Sequence, residues 1–493
     1  MRLSDLRALL GLPAAPAAGD PDTHVRRVVF DSRQAGPGDV FAALPGTRVD
    51  GHAFLAQVAA QGALAAIVDK AWCQSHGAEA PLPLLPVADT REAMAKAAAE
   101  LQGHPSRALK LVGVTGTNGK TTTTHLIRAV LEEAGMAAGL LGTLGADFAG
   151  QRIETGHTTP QSPEVQSLLK RMVDAGVQAV AMEVSSHAID QKRVYGCAFQ
   201  IAVFTNLSQD HLDYHGTMAA YAQTKAKLFN WQATGIPPQH AIINLDDPSA
   251  GQFQAAATCP VITYGIDAGP SALLWASDVE SFAAGSRFVV PWQGEAHAVA
   301  LPLPGRFNVY NALAAFATGL ALGFAPATMA AALARVPGVP GRAEVVTPPG
   351  HPFTVWVDYA HTPDGLENVL SSARALKPNR LIAVFGCGGD RDRTKRPLMG
   401  EAAARLADLA LVTSDNPRSE DPQAILADIV PGMTQGEHRV VVDRERAIHE
   451  AIREAHPGDL VVIAGKGHET YQIFADRTVH FDDREVARAA LSN

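Results

Sequence analysis

The sequence is poor in features that mark secreted or nucleic-acid-binding proteins. Its 493 residues include only four cysteines, Cys73, Cys197, Cys259 and Cys387, and no two of them form a CxxC pair. This wide spacing argues against a zinc knuckle or a disulfide framework and fits a reducing cytosol. The net charge is −9, and no long basic run is present. A nucleic acid is therefore not favoured as a partner.

Long hydrophobic runs are also missing. The N-terminal stretch MRLSDLRALLGLPAAPAAGD lacks the apolar core that a signal peptide needs. The most apolar stretch, NALAAFATGLALGF, is interrupted by glycine, which indicates a core helix rather than a membrane span. With 47% hydrophobic and 18% charged residues, the composition is typical of a globular protein. We therefore expect a cytoplasmic protein without a membrane span.

The pattern along the chain divides it into three segments, which agrees with a length sufficient for about three domains. Residues 1–88 carry short strand-like runs and end in the proline-rich APLPLLPV, which predicts a small α/β domain and a linker. Residues 89–339 alternate strands and helices as in a mostly parallel sheet, with a β-rich insertion at 270–300. The stretch VPGVPGR then marks a boundary, and residues 340–493 repeat the α/β rhythm.

The segment LKLVGVTGTNGKTTTT predicts a buried strand, a glycine-bearing loop and the start of a helix. Gly116 and Gly119 let backbone N–H groups approach a phosphate, while Lys120 supplies a cation and Thr121 a hydroxyl suited to Mg²⁺. The helix directs the positive end of its dipole at the same anion. In the usual G-x-x-x-x-G-K-[ST] spacing the first glycine would stand at Val114. The loop predicts nucleoside triphosphate binding; a plain strand–turn–helix is the alternative.

Two polar groups follow other apolar strands of this segment. Glu183 could hold Mg²⁺ directly or through water, and the alternative is a strand-end glutamate that faces solvent. Asp210, His211, Asp213 and His215 could form a metal site, a general base or a polar loop. Spacing alone does not choose among these three. Placement at a strand end favours His211 as the residue that faces the nucleotide.

Three polar loops follow three apolar strands of the last segment. They are GCGGDRD, SDNPR and AGKGHE. Glycine and arginine at strand ends suggest anion recognition, and Pro417 would present Arg418 with little entropic cost. Any one of them could be an ordinary loop. Because such strands carry their chemistry at their carboxyl ends, we predict that the three loops share one ligand cleft.

Two further signals are weak when taken alone. The N-terminal segments DSR, residues 31–33, and PGTRVDGH, residues 45–52, could bind a small polar ligand. On the predicted helix YAQTKAKLFNW, Lys225 and Lys227 are typical of a solvated face. We keep that interpretation for Lys227.

Together these motifs resemble the Mur ligase family of bacterial cell-wall synthesis. TGTNGKTTT, MEVSSHA, TNLSQDHLDYHG, GRFNVYNALAA, DYAHTPD, GGDRDRTKRP, DNPR and AGKGHE occur in the family's order over essentially the whole chain. The unusual phosphate loop is the form that this family uses. The resemblance implies an α/β protein of three domains: a UDP-binding domain, a central ATPase with a P-loop-type, mostly parallel sheet, and a C-terminal Rossmann-like domain that binds the incoming amino acid.

The resemblance also implies two sets of substrate-binding residues. ATP would be bound by Gly116, Thr117, Asn118, Gly119, Lys120, Thr121, Thr122, Asn308, Arg342 and Asp358. The UDP-muramoyl-peptide substrate would be bound by Phe30, Ser32, Thr47, Arg48, Val49, His157, Thr158, Thr159, Ser185, Gln191 and Arg193. His157 departs from the asparagine of a close relative, which affects only that side-chain contact.

By the same resemblance, Mg²⁺ would be held by Thr121, Glu183, His211 and Lys225, with Lys225 as a carbamate. Lys120, Lys225 and His211 would be the catalytic residues. A carbamate turns an ammonium into an anion that can bind Mg²⁺. Lys225 must therefore be neutral enough to react with CO₂.

The amino-acid pocket would consist of Arg391, Asp415, Asn416, Pro417, Arg418, Gly465 and Glu469. Diaminopimelate resembles lysine with a second carboxylate at its far end, and Arg418 can pair bidentately with one carboxylate. Lysine would leave that guanidinium unpaired at a desolvated site, at a cost of about 2–5 kcal/mol. The acidic groups would take the ammonium.

The implied activity is a ligation in peptidoglycan synthesis, and hence in cell shape and division. ATP would phosphorylate the D-glutamyl carboxylate of UDP-N-acetylmuramoyl-L-alanyl-D-glutamate, and the amine of meso-2,6-diaminopimelate would attack the acyl phosphate. We expect a monomer. Three alternatives stay open: a lysine-adding ligase, a folylpolyglutamate synthase, and a nucleotide-binding regulatory or motor protein. The last predicts substrate-independent hydrolysis and leaves the three C-terminal loops without a role.

Overall fold

The protein is described by a computed structural model that covers residues 1–13, 23–46 and 49–492. The chain divides into two compact units, Met1–Thr263 and Tyr264–Asn493. Both combine helices with mostly parallel sheets, which confirms the predicted α/β class. No helix in the described ranges is long and apolar enough to cross a membrane.

The first unit opens with a four-stranded parallel sheet in the order β1-β2-β3-β4. Its elements are α1 Leu3–Leu9, β1 Arg27–Val29, β2 Asp39–Ala42, α2 Leu55–Ala60, β3 Ala65–Asp69, α3 Lys70–His76, β4 Leu84–Val87 and α4 Thr90–Leu101. Asp69 and Asp89 cap α3 and α4 by accepting backbone N–H bonds. Helix α4, which the pattern assigned to the central segment, packs on this sheet through Ala93, Met94 and Ala97.

A larger sheet with the order β11-β10-β5-β9-β6-β7-β8 follows. The first five strands are parallel and the last two add antiparallel hairpins. Its elements are β5 Lys110–Thr115, α5 Lys120–Glu133, β6 Ala138–Gly142, β7 Gly145–Phe148, β8 Gln151–Ile153, α6 Ser162–Asp174, β9 Ala179–Glu183, α7 Ser186–Asp190, β10 Ile201–Phe204, α8 Leu212–His215, α9 Met218–Ala226, β11 His240–Asn244 and α10 Ala250–Ala256. Strand β12, Val261–Gly265, spans the division between the units.

The second unit contains the predicted β-rich insertion, an antiparallel sheet β14-β15-β16. Its elements and the two helices after it are β13 Leu274–Trp275, β14 Ser277–Phe282, β15 Gly285–Trp292, β16 Glu295–Leu301, α11 Arg306–Ala321 and α12 Pro326–Ala334. Helix α11 is the apolar NALAAFATGLALGF stretch and lies almost wholly buried. This position explains its composition without a membrane.

The rest of the second unit surrounds a six-stranded sheet in the order β17-β18-β22-β19-β20-β21. Its elements are β17 Glu344–Val345, β18 Thr354–Asp358, α13 Pro363–Ala375, β19 Leu381–Phe385, α14 Lys395–Leu406, β20 Leu409–Val412, α15 Pro422–Ile429, β21 Glu437–Val440, α16 Arg444–Glu454, β22 Leu460–Ala464, β23 Tyr471–Ile473, β24 Thr478–His480 and α17 Asp483–Leu491. Within the six-stranded sheet all pairs are parallel except β17 with β18, and β23 and β24 form a separate antiparallel pair.

Alternate strand residues of this sheet enter two different apolar cores. Trp356 and Val462 face one core, whereas Val355 and Val461 face the other. A sheet that is buried on both faces explains the continuous apolar runs in these strands. Strands β22, β19 and β20 are direct neighbours, so the loops that follow them emerge at one edge. The domain limits at 88 and 339 stay predictions.

A buried ion pair joins α16 and α17. Arg444 and Asp483 are each the first residue of their helix, and both side chains are fully buried. The guanidinium binds the carboxylate in a bidentate way, with Nε–Oδ1 and Nη2–Oδ2 distances of 2.7 Å. The two charges satisfy each other where water does not reach.

We predict that Asp483→Ala destabilises the second unit by about 3–5 kcal/mol, because it leaves the Arg444 charge buried and unpaired. The measurement is the shift of the urea unfolding transition. Glu485→Ala is the matched control, since Glu485 lies on the same helix and pairs with His480 at the exposed surface; its effect should stay below about 1 kcal/mol. Equal shifts for both variants would contradict the prediction.

Candidate active site

The phosphate loop leaves the carboxyl end of β5 and enters α5. Gly116 has φ +152° and Gly119, the N-cap of α5, has φ +83°. A Cβ on Gly116 would stand 1.9 Å from the Thr205 hydroxyl oxygen, so only glycine fits there. The Lys120 ammonium donates to the carbonyl oxygens of Gly116 at 3.0 Å and Thr117 at 2.8 Å. The loop is thus folded around its own lysine.

The neighbouring strand β10 fixes the loop from the side. The Thr205 hydroxyl donates to the Asn118 carbonyl at 2.7 Å, and Asn206 Oδ1 accepts from the Asn118 N–H at 2.9 Å. The Ser208 N–H donates to Thr117 Oγ1 at 3.0 Å. The sequence does not reveal this support, because the support depends on β10 lying beside β5 and no local motif shows that.

Two side chains of α9 reach the loop: Tyr221, whose hydroxyl lies 3.3 Å from Thr117 Oγ1, and Lys225, which is 1% exposed. Its ammonium donates to the Gly116 carbonyl at 2.8 Å and lies 4.5 Å from the Tyr221 ring centroid. Burial, reinforced by the charge of Lys120, lowers the pKa of Lys225 well below its ordinary value. A solvated-face interpretation therefore does not hold for Lys225, whereas Lys227 is half-buried.

Glu183 ends β9 on the other side of β5, and its side chain is buried. Its carboxylate accepts from the Thr143 N–H at 2.9 Å and from the Thr143 hydroxyl at 3.1 Å. A Cβ on Gly142 would stand 2.3 Å from Glu183 Oε1, so glycine makes room for this carboxylate. The alternative of a glutamate facing solvent is wrong.

His211 lies in a cluster of aromatic and imidazole rings after β10. It adopts φ +54°, and its ring centroid is 4.7 Å from that of His187, which sequence analysis did not select. Burial and the charges of Lys120 and Lys225 lower the pKa of His211, against the opposing charge of Asp210. The same cause, burial, lowers the pKa of His187 to about 4.

The oxygen donors near the phosphate loop suit a Mg²⁺ ion that is also bound by water and substrate phosphates. No group of three or more His, Cys, Asp or Glu side chains converges as a preformed cage anywhere in residues 1–13, 23–46 and 49–492. The oxygen donors at hand are the Glu183 carboxylate, set into a cradle that a Cβ at position 142 would fill, and the hydroxyl of Thr121 on the first turn of α5. Mg²⁺ is commonly held by one or two carboxylates together with water and substrate phosphates, which this set allows.

The candidate muramoyl-peptide residues form one hydrogen-bonded network next to Glu183. Arg193 donates to the Thr159 carbonyl at 2.8 Å and to Gln191 Oε1 at 2.7 Å. The Thr159 hydroxyl donates to the Glu183 carbonyl at 2.9 Å and accepts from the Ser185 N–H at 3.2 Å. Thr158 joins through a hydroxyl contact of 3.1 Å with Thr143, which also binds Glu183. Thr143 was missed because it follows an unremarkable strand.

A cavity of about 370 Å³ extends from this region to the first sheet. Phe30 and Asp31 line one part, and Thr155, Gly156 and Pro160 line another. The cavity therefore brings Phe30 close to the segment that leads into Thr158, although the two are far apart in sequence.

The structure describes three further residues that are predicted to bind the UDP-linked substrate. Ser32 is buried and starts a short 3₁₀ turn, and Val49 is exposed. Burial and the charge of Arg193 lower the pKa of His157. Thr47 and Arg48 lie outside the described residues.

The three remaining nucleotide candidates belong to the second unit. Asn308 is buried at the start of α11 and donates to the Pro304 carbonyl at 2.8 Å. Arg342 lies 4.9 Å from the Tyr359 ring centroid. Asp358 accepts from the N–H groups of Ala343 and Ala360, and burial raises its pKa despite the opposing charge of Arg342.

The three C-terminal polar loops do meet, as the strand order requires. The Gly389 N–H donates to the Asn416 carbonyl at 2.9 Å, which joins the first loop to the second. The Asn416 amide donates to Glu469 Oε2 at 2.9 Å, which joins the second loop to the third. The three loops thus meet at one edge of the sheet, and a shared ligand cleft with these binding residues stays a prediction.

The two arginines of this cleft differ in how they are held. Arg418 has φ +54°, its N–H donates to the Ile473 carbonyl, and its Nη1 donates to the Gly389 carbonyl at 2.8 Å. Arg391 is exposed and donates to the carbonyl of Asp390. The guanidinium of Arg418 is therefore preset, whereas that of Arg391 stands in solvent.

Two buried cations lie beneath these loops and were not among the selected residues. Arg444 donates to the carbonyls of Ser414 at 3.2 Å and Ala464 at 3.0 Å, directly before Asp415 and Gly465. Lys466 is fully buried and contacts Asn416 and Glu469. The sequence showed Lys466 in AGKGHE, but nothing local indicated that it turns inward.

Comparison with protein families gives three consecutive matches. Residues 24–102 match the model "Mur ligase family, catalytic domain", residues 114–319 match "Mur ligase middle domain", and residues 341–467 match "Mur ligase, glutamate ligase domain". The chain belongs to the Mur ligase family.

Two similar proteins carry the same name. A protein of Gloeobacter violaceus is 49% identical over 493 residues, which is 100% of this chain and 98% of its own length. A protein of Geobacillus thermodenitrificans is 48% identical over 478 residues, 96% of each chain. Both are called UDP-N-acetylmuramoyl-L-alanyl-D-glutamate–2,6-diaminopimelate ligase. A solved structure of that name is 34% identical, with a TM-score of 0.71 over 100% of this chain and 99% of its own.

More distant structures share the fold only. A folylpolyglutamate synthase of Mycobacterium tuberculosis, complexed with ADP and AMPPCP, is 19% identical, with a TM-score of 0.60 over 82% of this chain and 95% of its own. The scaffold is thus common to ligases with different names.

We predict that Gly116→Ala weakens ADP binding at least about tenfold, because the strained backbone costs 1–3 kcal/mol and the methyl group collides with Thr205. Isothermal titration calorimetry with ADP measures this. Gly251→Ala is the control, since a Cβ there meets nothing within 4 Å, and it should bind like wild type. Wild-type affinity in Gly116→Ala would show that the nucleotide binds elsewhere.

Proposed function

We propose that this chain adds meso-2,6-diaminopimelate to UDP-N-acetylmuramoyl-L-alanyl-D-glutamate, with ATP converted to ADP and phosphate. The observation that carries the proposal is the preset Arg418 guanidinium, on a loop that also carries Asp415 and that bonds to Glu469 through Asn416. Diaminopimelate carries a carboxylate and an ammonium at its far end, and this cleft offers a partner for each. The relatives of the same name, at 48–49% identity over nearly the whole chain, support the same activity.

ATP supplies the energy by phosphorylating the D-glutamyl carboxylate. The backbone N–H groups of the loop from Gly116 to Thr122 and the Lys120 ammonium would bind its phosphates and offset the charge of the transferred phosphoryl group. Lys120 must exchange its present bonds to loop carbonyls for bonds to phosphate. Bound Mg²⁺, held by Thr121, Glu183, His211 and the Lys225 carbamate, would supply further neutralisation of phosphate charge.

Lys225 contributes through its unusual environment. Its low pKa keeps a neutral amine available, and a neutral amine can add to CO₂ to form a carbamate anion, with one amine proton released to solvent. The product is an anion in a place that now holds an amine between Gly116 and Tyr221. Burial then protects the carbamate from the water and acid that would reverse it.

The other side chains would bind and orient the substrates. Phe30, Ser32 and the segment 47–49 would hold the uridine nucleotide, while the Thr158–Arg193 network would hold the muramoyl peptide next to Glu183. The acidic side chains of the C-terminal cleft and its two arginines would orient diaminopimelate. Its free amine then attacks the acyl phosphate through a tetrahedral intermediate and releases phosphate.

We also propose that the protein works as a monomer in the cytoplasm. The scarcity of cysteine supports a reducing compartment.

Phosphate release tests the proposal directly. We expect release from ATP only when the UDP-muramoyl dipeptide and meso-diaminopimelate are both present, with L-lysine a far poorer second substrate. Equal rates with lysine would favour the lysine-adding alternative. Release that depends on a folate and glutamate would favour the synthase, and release without any acceptor would favour a regulatory ATPase.

We predict that Arg418→Ala lowers kcat/KM for meso-diaminopimelate about a hundredfold or more, because one carboxylate loses its charged partner in a desolvated cleft. The same variant should lower kcat/KM for lysine much less. Arg393→Ala is the control, because Arg393 pairs with Glu420 on the exposed side of the neighbouring loop, and it should stay near wild type. Equal losses for both amino acids in Arg418→Ala would contradict the assignment.

We predict that Lys225→Ala lowers kcat by about 10²–10³, the usual effect of removing one stabilising group from a charged transition state. Acetate or formate should restore part of the activity by supplying the missing carboxylate. Lys227→Ala is the neighbouring control and should keep wild-type activity without added carboxylate. Full activity in Lys225→Ala would remove the carbamate from the mechanism.

A further inference from the structure

Lys466 is a fully buried cation directly beneath the proposed amino-acid cleft. Its ammonium donates to Glu469 Oε2 at 3.1 Å and to Asn416 Oδ1 at 3.2 Å, and it lies 3.8 Å from Asp415 Oδ1. It also lies 5.5 Å from the Tyr471 ring centroid. Each acidic side chain that the cleft offers to an ammonium therefore already has a positive charge beside it.

The surrounding contacts hold Lys466 in this position. Asn416 Oδ1 accepts from both Lys466 and the Ile473 N–H at 3.0 Å, while its amide nitrogen donates to Glu469. Two donors on one side and a carboxylate on the other fix the orientation of the Asn416 amide. These bonds hold the Lys466 side chain against Asn416 and Glu469.

We propose that Lys466 is a specificity-determining residue, which makes the cleft favour a net-neutral amino acid over a cationic one. This inference rests on the proposed function. With Lys466, the cleft carries three cations, the others being Arg391 and Arg418, against the two anions Asp415 and Glu469. Arg444 beneath the loops is left out of this balance because its charge is offset by Asp483. Near neutral pH, diaminopimelate has two ammonium and two carboxylate groups, whereas lysine has two ammonium groups and one carboxylate. The extra positive charge therefore opposes lysine and leaves diaminopimelate nearly unaffected.

The separation of roles between Arg418 and Lys466 follows from their contacts. Arg418 lies at the cleft surface, where it can pair with a ligand carboxylate. Lys466 does not need to touch the ligand, because an unscreened charge acts over several ångströms inside a protein. Arg418 would attract the correct substrate, and Lys466 would repel the wrong one by reducing the negative charge of Asp415 and Glu469.

The test is the ratio of kcat/KM for meso-diaminopimelate to kcat/KM for L-lysine, measured by mass-spectrometric product detection on the same enzyme preparation. Lys466→Met should lower this ratio at least about tenfold, since it removes one charge from a buried site. Lys466→Arg should keep the ratio within about threefold. A loss of folded enzyme lowers both rates equally and leaves the ratio unchanged.

A second variant has the opposite expected sign. Glu469→Gln removes a negative charge while Lys466 stays, so the ratio of the two kcat/KM values should rise. If Lys466→Met does not fold, this variant tests the proposal, and an unchanged or lower ratio would overturn it. Lys170→Met, which removes an exposed charge from α6 in the first unit, is the control for net charge and should leave the ratio unchanged.

The outcomes separate the two proposals. If wild-type enzyme does not ligate diaminopimelate, the proposed function fails first. If wild-type enzyme does so and the ratio is the same in Lys466→Met, or falls equally in Lys466→Met and Lys466→Arg, the specificity role of the Lys466 charge is overturned.

Discussion

The candidate active site depends on one electrostatic constraint: a lysine removed from water must either find an anion or give up its proton. Lys225 and Lys466 are both buried, and the structure resolves them in opposite ways. Lys225 donates to a carbonyl and lies near a second cation, Lys120, so its neutral form is favoured. Lys466 instead lies between two carboxylates and forms ion pairs with them. One buried lysine therefore lacks an anionic partner at hydrogen-bond distance, and the other has two carboxylates beside it.

The fold could be predicted from the sequence, whereas the surroundings of these buried side chains could not. The α/β class, the parallel sheets and the meeting of the three C-terminal loops followed from apolar strands that end in polar motifs, because neighbouring parallel strands bring those ends together. The inward turn of Lys466, the bond from Thr143 to Glu183 and the bonds of Arg444 to two loop carbonyls could not be predicted. Each depends on which element packs behind the motif, and local sequence does not encode that. The Lys225 pattern alone even favoured a solvated face.

A folylpolyglutamate synthase has the same fold at 19% identity. The polar side chains of the loops after β19, β20 and β22 lie outside the two apolar cores of the sheet, although Cys387 of the first loop is buried in one of them. Function on a shared fold lies in side chains such as these rather than in the scaffold. Arg444 is different, because it supports two of these loops from below while it pairs with Asp483. It links the stability of the unit to the shape of the cleft.

The glycines of GCGGDRD show how closely these loops must approach. A Cβ on Gly386 would stand 2.1 Å from the Thr413 carbonyl oxygen, and one on Gly389 would stand 1.8 Å from that of Pro417. This contact lets the Gly389 carbonyl reach Arg418 Nη1 at 2.8 Å. Arg418 itself has φ +54°, a conformation that costs about 1–3 kcal/mol in a residue other than glycine. Its backbone bond to Ile473 and its side-chain bond to Gly389 offset that strain. The arginine is therefore held in place before any ligand binds, so less entropy is lost when a carboxylate arrives.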